Sequence, residues 1–318
     1  MAAELPKPLR GIVAPMVTPL LDRDSLDVAG LERLIEHILA GGVHGLFVLG
    51  TTGEAPSLSY RLRRELIERV CRQVATRAPV LVGVTDTSFV ETVNLARHAL
   101  AAGAAGVVLA APFYFPAGQP ELLEYLQHVA PQLPLPTFLY NMPRRGELRF
   151  EADTVQAAAV LPNIAGIKDS SADFAYFRRL LKLFRGQACP ACGVGGRASF
   201  SLLVGCEDLL AKALALGADG GVCGGANVCP RLYVDLYHAA VAGDSQKAAQ
   251  LHKRVMRIHK TVYSVGRYGS SIIKGIKCAL SCMGICDDFM AEPFHRFRSP
   301  QRDAIRQHLI KLGLLKAG

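Results

Sequence analysis

The chain has no apolar run long enough to cross a bilayer, and Met1 to Gly11 lacks the apolar stretch of a secretory signal. A soluble, cytoplasmic protein is therefore expected. No low-complexity tract or linker divides the sequence. Acidic residues are the scarcer charge, 27 Asp and Glu against 36 Lys and Arg, leaving a formal net charge of +9. The cations are spread among helical stretches rather than gathered in a stripe with interleaved aromatics. Small acidic substrates fit this distribution better than nucleic acid.

A disulfide or zinc framework is missing too. Nine cysteines, an odd number in apolar contexts, read as free thiols of a reducing compartment. Cys189-Pro-Ala-Cys192 has the spacing of a metal knuckle, but no second cysteine pair or histidine pair stands at a fitting distance, so no metal is expected. Cys278, Cys282 and Cys286 recur every fourth residue, which puts them on one helix face as small buried apolar groups.

Apolar residues are abundant, at 50% of 318, enough to build one large α/β domain or two ordinary ones. Short β-branched or apolar runs recur at Gly11 to Val17, Gly45 to Leu49, Val80 to Val84, Gly106 to Ala110, Thr137 to Tyr140, Ile164 to Ile167, Phe200 to Val204 and Gly220 to Cys223. Amphipathic stretches lie between most of them, among them Val28 to Ala40, Tyr60 to Thr76, Phe89 to Ala101 and Phe174 to Leu183. Strand starts roughly twenty to thirty-six residues apart suit a barrel that closes eight units in about 250 residues. The expected fold is α/β, a (β/α)8 TIM barrel over residues 1–229 with a C-terminal helical appendage over residues 230–318. Arg185 to Ser199, rich in Gly and Cys, fits neither period and reads as a loop before the seventh strand.

Polar residues gather where strands end, the face on which such barrels build their sites. Lys168 closes the apolar run of Asn163-Ile164-Ala165-Gly166-Ile167. An ammonium carried into an apolar strand loses hydration, which favours the neutral amine that Schiff-base chemistry needs. The alternative is a strand-end lysine that snorkels to solvent or pairs with Asp169. Gly50-Thr51-Thr52-Gly53-Glu54 would form a tight turn offering N–H groups and two hydroxyls to a carboxylate, or else an ordinary turn with Glu54 at a helix start. Tyr114 and Tyr140 end two further runs, and a Tyr linked through a Thr hydroxyl to a second Tyr can shuttle the protons of imine formation. Each could instead pack at the rim. Arg145 adds a guanidinium fork for a second carboxylate.

With Gly50-Thr51-Thr52-Gly53-Glu54, Tyr140-Asn141-Met142-Pro143 and Gly166-Ile167-Lys168-Asp169 in order, the chain resembles the dihydrodipicolinate synthase/N-acetylneuraminate lyase family of class I, pyruvate-dependent aldolases. The resemblance runs from about Gly11 to the last helix. It implies that Lys168 forms the imine, that Tyr140 is the acid/base, and that Thr51 and Thr52 hold the pyruvyl carboxylate beside Gly50. It also implies that Thr51 relays protons to Tyr114, that Tyr114 crosses from a neighbouring subunit of a homotetramer built as a dimer of dimers, and that Asn227 lines the pocket.

On the same resemblance, pyruvate or a related 2-oxo acid meets a small aldehyde without metal or organic cofactor. Arg145 resembles the synthases' receptor for the aldehyde's carboxylate. Gly83-Val84-Thr85-Asp86-Thr87-Ser88 departs from the Gly-Thr-Gly-Ala-Asn stretch usual in those synthases, and Lys168-Asp169-Ser170-Ser171 looks more like the sugar-acid and hydroxy-oxo-acid aldolases of the family. Tyr60 and Thr87 stand where lysine-regulated relatives carry His and Asn, so feedback by lysine is not expected. A 2-oxo-3-deoxy acid dehydratase on the same imine, or a non-catalytic barrel that binds a 2-oxo acid, are the alternatives.

Overall fold

A computed structural model describes residues 3–146, 148–186 and 199–316. The eight apolar runs become strands β1 (Gly11–Pro15), β2 (Gly45–Val48), β3 (Val80–Gly83), β4 (Gly106–Ala110), β5 (Thr137–Asn141), β6 (Ile164–Asp169), β7 (Ser201–Val204) and β8 (Gly220–Val222). Each pairs in parallel with the next, and β8 pairs with β1 to close the barrel. Both faces of these strands are covered, which is why they read as continuous apolar runs and not as alternating ones. One face points into the barrel, where Val13, Phe47, Val108, Phe138, Tyr140 and Leu203 form the inner cluster. The other meets the surrounding helices in a larger cluster.

Helices in chain order are α1 (Val28–Ala40), α2 (Tyr60–Val74), α3 (Phe89–Ala102), α4 (Gln119–Val129), the single turn α5 (Pro143–Gly146), α6 (Ala152–Ala158), α7 (Phe174–Arg185), α8 (Leu210–Ala215), α9 (Pro230–Val241), α10 (Ser245–Thr261), α11 (Ser271–Cys282) and α12 (Gln301–Lys311). Side-chain caps start several of them. Asp27, Ser59, Ser88, Asp173 and Asp244 each accept a hydrogen bond from the N–H three residues on. Such a cap contributes about 1 kcal/mol, which helps fix where a loop turns into a helix. The α8 segment, Leu210-Ala-Lys-Ala-Leu-Ala, is too short to show a helical period and is legible only in the structure.

α9 packs against β1, α1 and α8 and so takes the eighth place in the helical ring. α10 lies along α9, and α11 contacts α12 and the Gly224–Asn227 turn after β8. Of the loop expected over Arg185 to Ser199, Arg185 ends α7 and Gly186 caps it, while residues 187–198, Cys189 and Cys192 among them, lie outside the described residues. Cys278 and Cys286 are buried and Cys282 is half-buried, with all three thiols free. Among the described residues no helix is long and apolar enough to cross a membrane.

Candidate active site

Register puts Tyr140 of β5 directly beside Lys168 of β6, with Leu203 of β7 on the lysine's other side. Neighbours at one level of a parallel ladder share a face, so both side chains enter the barrel mouth with Leu203. Lys168 is 6% exposed. Its Nζ lies 4.0 Å from the centre of the Tyr140 ring and 5.0 Å from that of Phe47. A Cβ on Gly205, just past β7, would overlap Ser170 Oγ and crowd Lys168 Cε at 3.2 Å, so glycine there makes room for Ser170 first and for the lysine's stem second.

Asp169 points the other way, as strand alternation requires. It accepts hydrogen bonds from Asn141 Nδ2 at 2.8 Å and from the N–H and hydroxyl of Ser171 at 3.1 and 3.0 Å. Burial pushes its carboxyl above the ordinary range against those bonds. An Asp169 counter-ion for Lys168 is thereby ruled out.

After β2 the chain turns through Leu49 and Glu54, both in the left-handed region at φ 58° and 57°. Gly53, Glu54 and Ala55 spend their N–H groups inside the turn on carbonyls of Gly50 and Thr51. The N–H groups of Thr51 and Thr52 have no partner among the described residues. Thr51 Oγ1 lies 3.1 Å from the Tyr140 hydroxyl. Gly50 is needed because a Cβ there would sit 2.6 Å from the Phe47 ring. Thr52 is half-buried beside Thr51.

A cavity of about 360 Å³ opens over Gly50, Thr51 and Tyr140, while Lys168, behind the Tyr140 and Phe47 rings, and Thr52 lie outside its lining. Thr51, Tyr140 and Arg145 line it, with Thr85 from the end of β3 and Ser270 and Ile273 from the start of α11. Arg145, on α5, donates from Nη2 to the Gly269 carbonyl at 2.9 Å, so the segment before α11 holds it at the rim. Outside this lining, Tyr60 and Arg63 of α2 both donate to Asp86 Oδ2 in the loop after β3, at 2.9 and 3.2 Å.

Two of the expected site residues stand apart. Tyr114, with φ 88°, is 84% exposed and touches Phe115 edge-on, so the protomer's own Tyr114 does not reach Thr51. Asn227 is fully buried and lies outside the cavity lining. Its amide donates at 2.8 Å to both the Pro15 and Gly224 carbonyls and accepts from Val17 N–H at 3.1 Å, tying β1 to the turn after β8.

Two carboxylates were not singled out from sequence. Glu54 pairs with Lys277 of α11, Nζ to Oε1 at 2.7 Å, and accepts Ala291 N–H at 2.9 Å. Glu207, buried, receives Tyr233 at 2.5 Å, Tyr263 at 2.9 Å and Gly225 N–H at 2.8 Å. Burial raises its carboxyl above the ordinary range despite these donors. Both partnerships span distant parts of the chain, so spacing carries no trace of them. The left-handed turn at Glu54 is the one local sign.

A closed (β/α)8 barrel with a buried amine among hydroxyls at its C-terminal mouth has the architecture of an aldolase-type lyase. The chain belongs to the dihydrodipicolinate synthetase family, whose model matches residues 8–312. A solved dihydrodipicolinate synthase of Bacteroides thetaiotaomicron is 51% identical, with a TM-score of 0.91 over 96% of this chain and 99% of its own. A prophage protein of Escherichia coli K12 from the dihydrodipicolinic acid synthase family, solved with pyruvate, is 30% identical, with a TM-score of 0.88 over 96% and 99% of the two chains. A protein of E. coli K12 named as a probable 2-dehydro-3-deoxy-D-pentonate aldolase is 30% identical over 97% of this chain and 99% of its own. The protein is an enzyme, a lyase of this family.

Proposed function

We propose that the enzyme binds pyruvate as an imine on Lys168 and makes or breaks a carbon–carbon bond between its methyl carbon and an aldehyde. The amine adds to the keto carbon, and a proton delivered to the carbinolamine oxygen lets it leave as water. Loss of a proton from the methyl carbon of the imine gives an enamine. The enamine attacks the aldehyde, and hydrolysis then frees the lysine. Each step moves a proton near the imine, and the observation that carries the reading is the 3.1 Å link between Thr51 Oγ1 and the Tyr140 hydroxyl beside Lys168.

Thr51 and Thr52 hold the pyruvyl carboxylate on two free N–H groups and two hydroxyls. Arg145 at the rim supports an aldehyde that carries its own carboxylate, and the family's solved pyruvate complex supports the first substrate. A second copy of the chain supplies Tyr114 to complete the proton relay, within a homotetramer built as a dimer of dimers. The exposure of Tyr114, with half-exposed Phe113 and exposed Phe115 beside it, supports that arrangement.

Borohydride reduction in the presence of pyruvate tests the reading. It should leave a permanent mass on the peptide that contains Lys168 and on no other, and an unmodified protein would sink it. Incubation with pyruvate and aspartate semialdehyde, glyceraldehyde or glyoxylate, followed by mass analysis, then identifies the aldehyde. Products lighter by one water would favour dehydratase chemistry instead.

A further inference from the structure

The formal excess of nine positive charges is larger than Lys168 and Arg145 at the barrel mouth account for. Part of it sits on α10, which carries Lys247, Lys253, Arg254, Arg257 and Lys260 and no Asp or Glu between Ser245 and Thr261. None of these five side chains has an ion-pair partner among the described residues. Arg254 and Arg257, three apart and therefore neighbours on the helix surface, border a cleft of about 610 Å³ between α1, α9, α10 and α12. Arg231 at the start of α9 and Lys311 at the end of α12 border it too, against the single carboxylate of Asp235. Its floor is apolar, with Ile258 and Leu312. No residue of this lining belongs to the cavity bordered by Thr51, Tyr140 and Arg145.

We propose that this cleft is a second ligand site, for a small organic polyphosphate that carries a flat apolar group, the class of the nucleotides. Four cations converging from three helices repel one another, and an anion of several charges removes that repulsion. Guanidinium forks match the geometry of phosphate oxygens, and the aliphatic floor with the guanidinium planes gives a base a surface to lie on. The size falls within the range of roughly 300 to 1,000 Å³ that small-molecule sites occupy. Walls on four helices favour a mononucleotide over a strand, which needs an open groove with stacking aromatics.

Isothermal titration of the full-length enzyme with ATP, in low and in moderate salt, tests the proposal, with inorganic tripolyphosphate as the second probe. ATP is expected to bind once per chain and to weaken with salt. It should lose at least about tenfold in affinity in the Arg254→Ala, Arg257→Ala double variant. Tripolyphosphate should bind more weakly than ATP, because it leaves the floor uncovered. The two arginines are exposed, so an unchanged thermal midpoint and unchanged borohydride trapping at Lys168 certify the variant's fold. No heat with ATP, or equal affinity in the double variant, overturns the proposal. Tripolyphosphate binding as tightly as ATP overturns the apolar half of it. A single-stranded oligonucleotide binding more tightly than ATP overturns it in favour of a polymer.

Discussion

Lys277 of α11 and Glu54 of the turn after β2 form an ion pair 2.7 Å long from which both side chains exclude water, Lys277 being 0% exposed. It ties the helical appendage to the same turn that presents Thr51 and Thr52. Breaking a buried pair from one side leaves the other charge unpaired, at a cost of about 3–5 kcal/mol. Lys277→Met is therefore expected to lower stability by that amount in chemical denaturation. Adding Glu54→Gln should recover part of the loss, since Gln still accepts the Ala291 N–H. A double variant no more stable than the single one would show that the pair is not the reason.

Tyr140→Phe keeps the ring that covers Lys168 and deletes the hydroxyl bonded to Thr51. General acid/base groups contribute about 10²- to 10⁴-fold, so kcat should fall in that range while the thermal midpoint barely moves. Thr51→Val should slow the same steps. If the two hydroxyls act as one relay, the double variant should lose little more than the worse single one. Steady-state rates for all three separate this from two independent contributions, whose losses would multiply.

The barrel was legible because its strands are mostly apolar and most of its longer helices are amphipathic, and because Asp and Ser caps mark several helix starts. Lys168 and Tyr140 were legible because each ends such a run, and barrel register converts a strand end into a place on the mouth. Asn227 shows the limit. A motif puts it near the mouth, but only coordinates reveal that its amide is spent on β1 and on its own turn. Lys277 and Ser270 could not be read at all, since they reach the site from the appendage by packing and not by sequence distance.

Arg145 should matter to the second substrate alone. A charge-assisted hydrogen bond contributes about 1.5–3 kcal/mol, so Arg145→Leu is expected to weaken kcat/KM roughly 10- to 150-fold for an aldehyde bearing a carboxylate. An uncharged aldehyde should be little affected, and borohydride trapping of pyruvate should stay at the level of the unaltered enzyme. Equal losses for both aldehydes would show that Arg145 shapes the rim through Gly269 and does not read a carboxylate.

If a neighbouring copy supplies Tyr114, two inactive variants should rescue each other. Tyr114→Phe chains keep Lys168, and Lys168→Ala chains keep Tyr114. In a mixed dimer one of the two sites then holds both groups. After mild dissociation and reassembly at equal concentrations, roughly a quarter of the unaltered activity should return. The exposed side chain makes such a crossing sterically open. A mixture that stays as inactive as its components, while size-exclusion chromatography shows exchanged subunits, would place the relay within one chain or nowhere.

Glu207 offers a test that does not depend on the reaction. Its carboxyl is raised above the ordinary 4.5, with burial as the largest cause, so the folded protein holds this proton more tightly than the unfolded chain does. The protonated form's stabilisation is complete below 4.5 and is lost as pH rises from there through the folded value. Glu207→Gln stays uncharged and can still meet Tyr233, Tyr263 and Gly225 with one amide. The variant's thermal midpoint, measured relative to the unaltered enzyme, should therefore climb as pH increases from about 4.5 toward neutrality. A difference that stays flat across that range would mean that the three donors hold the carboxylate charged in the fold, with burial the lesser effect.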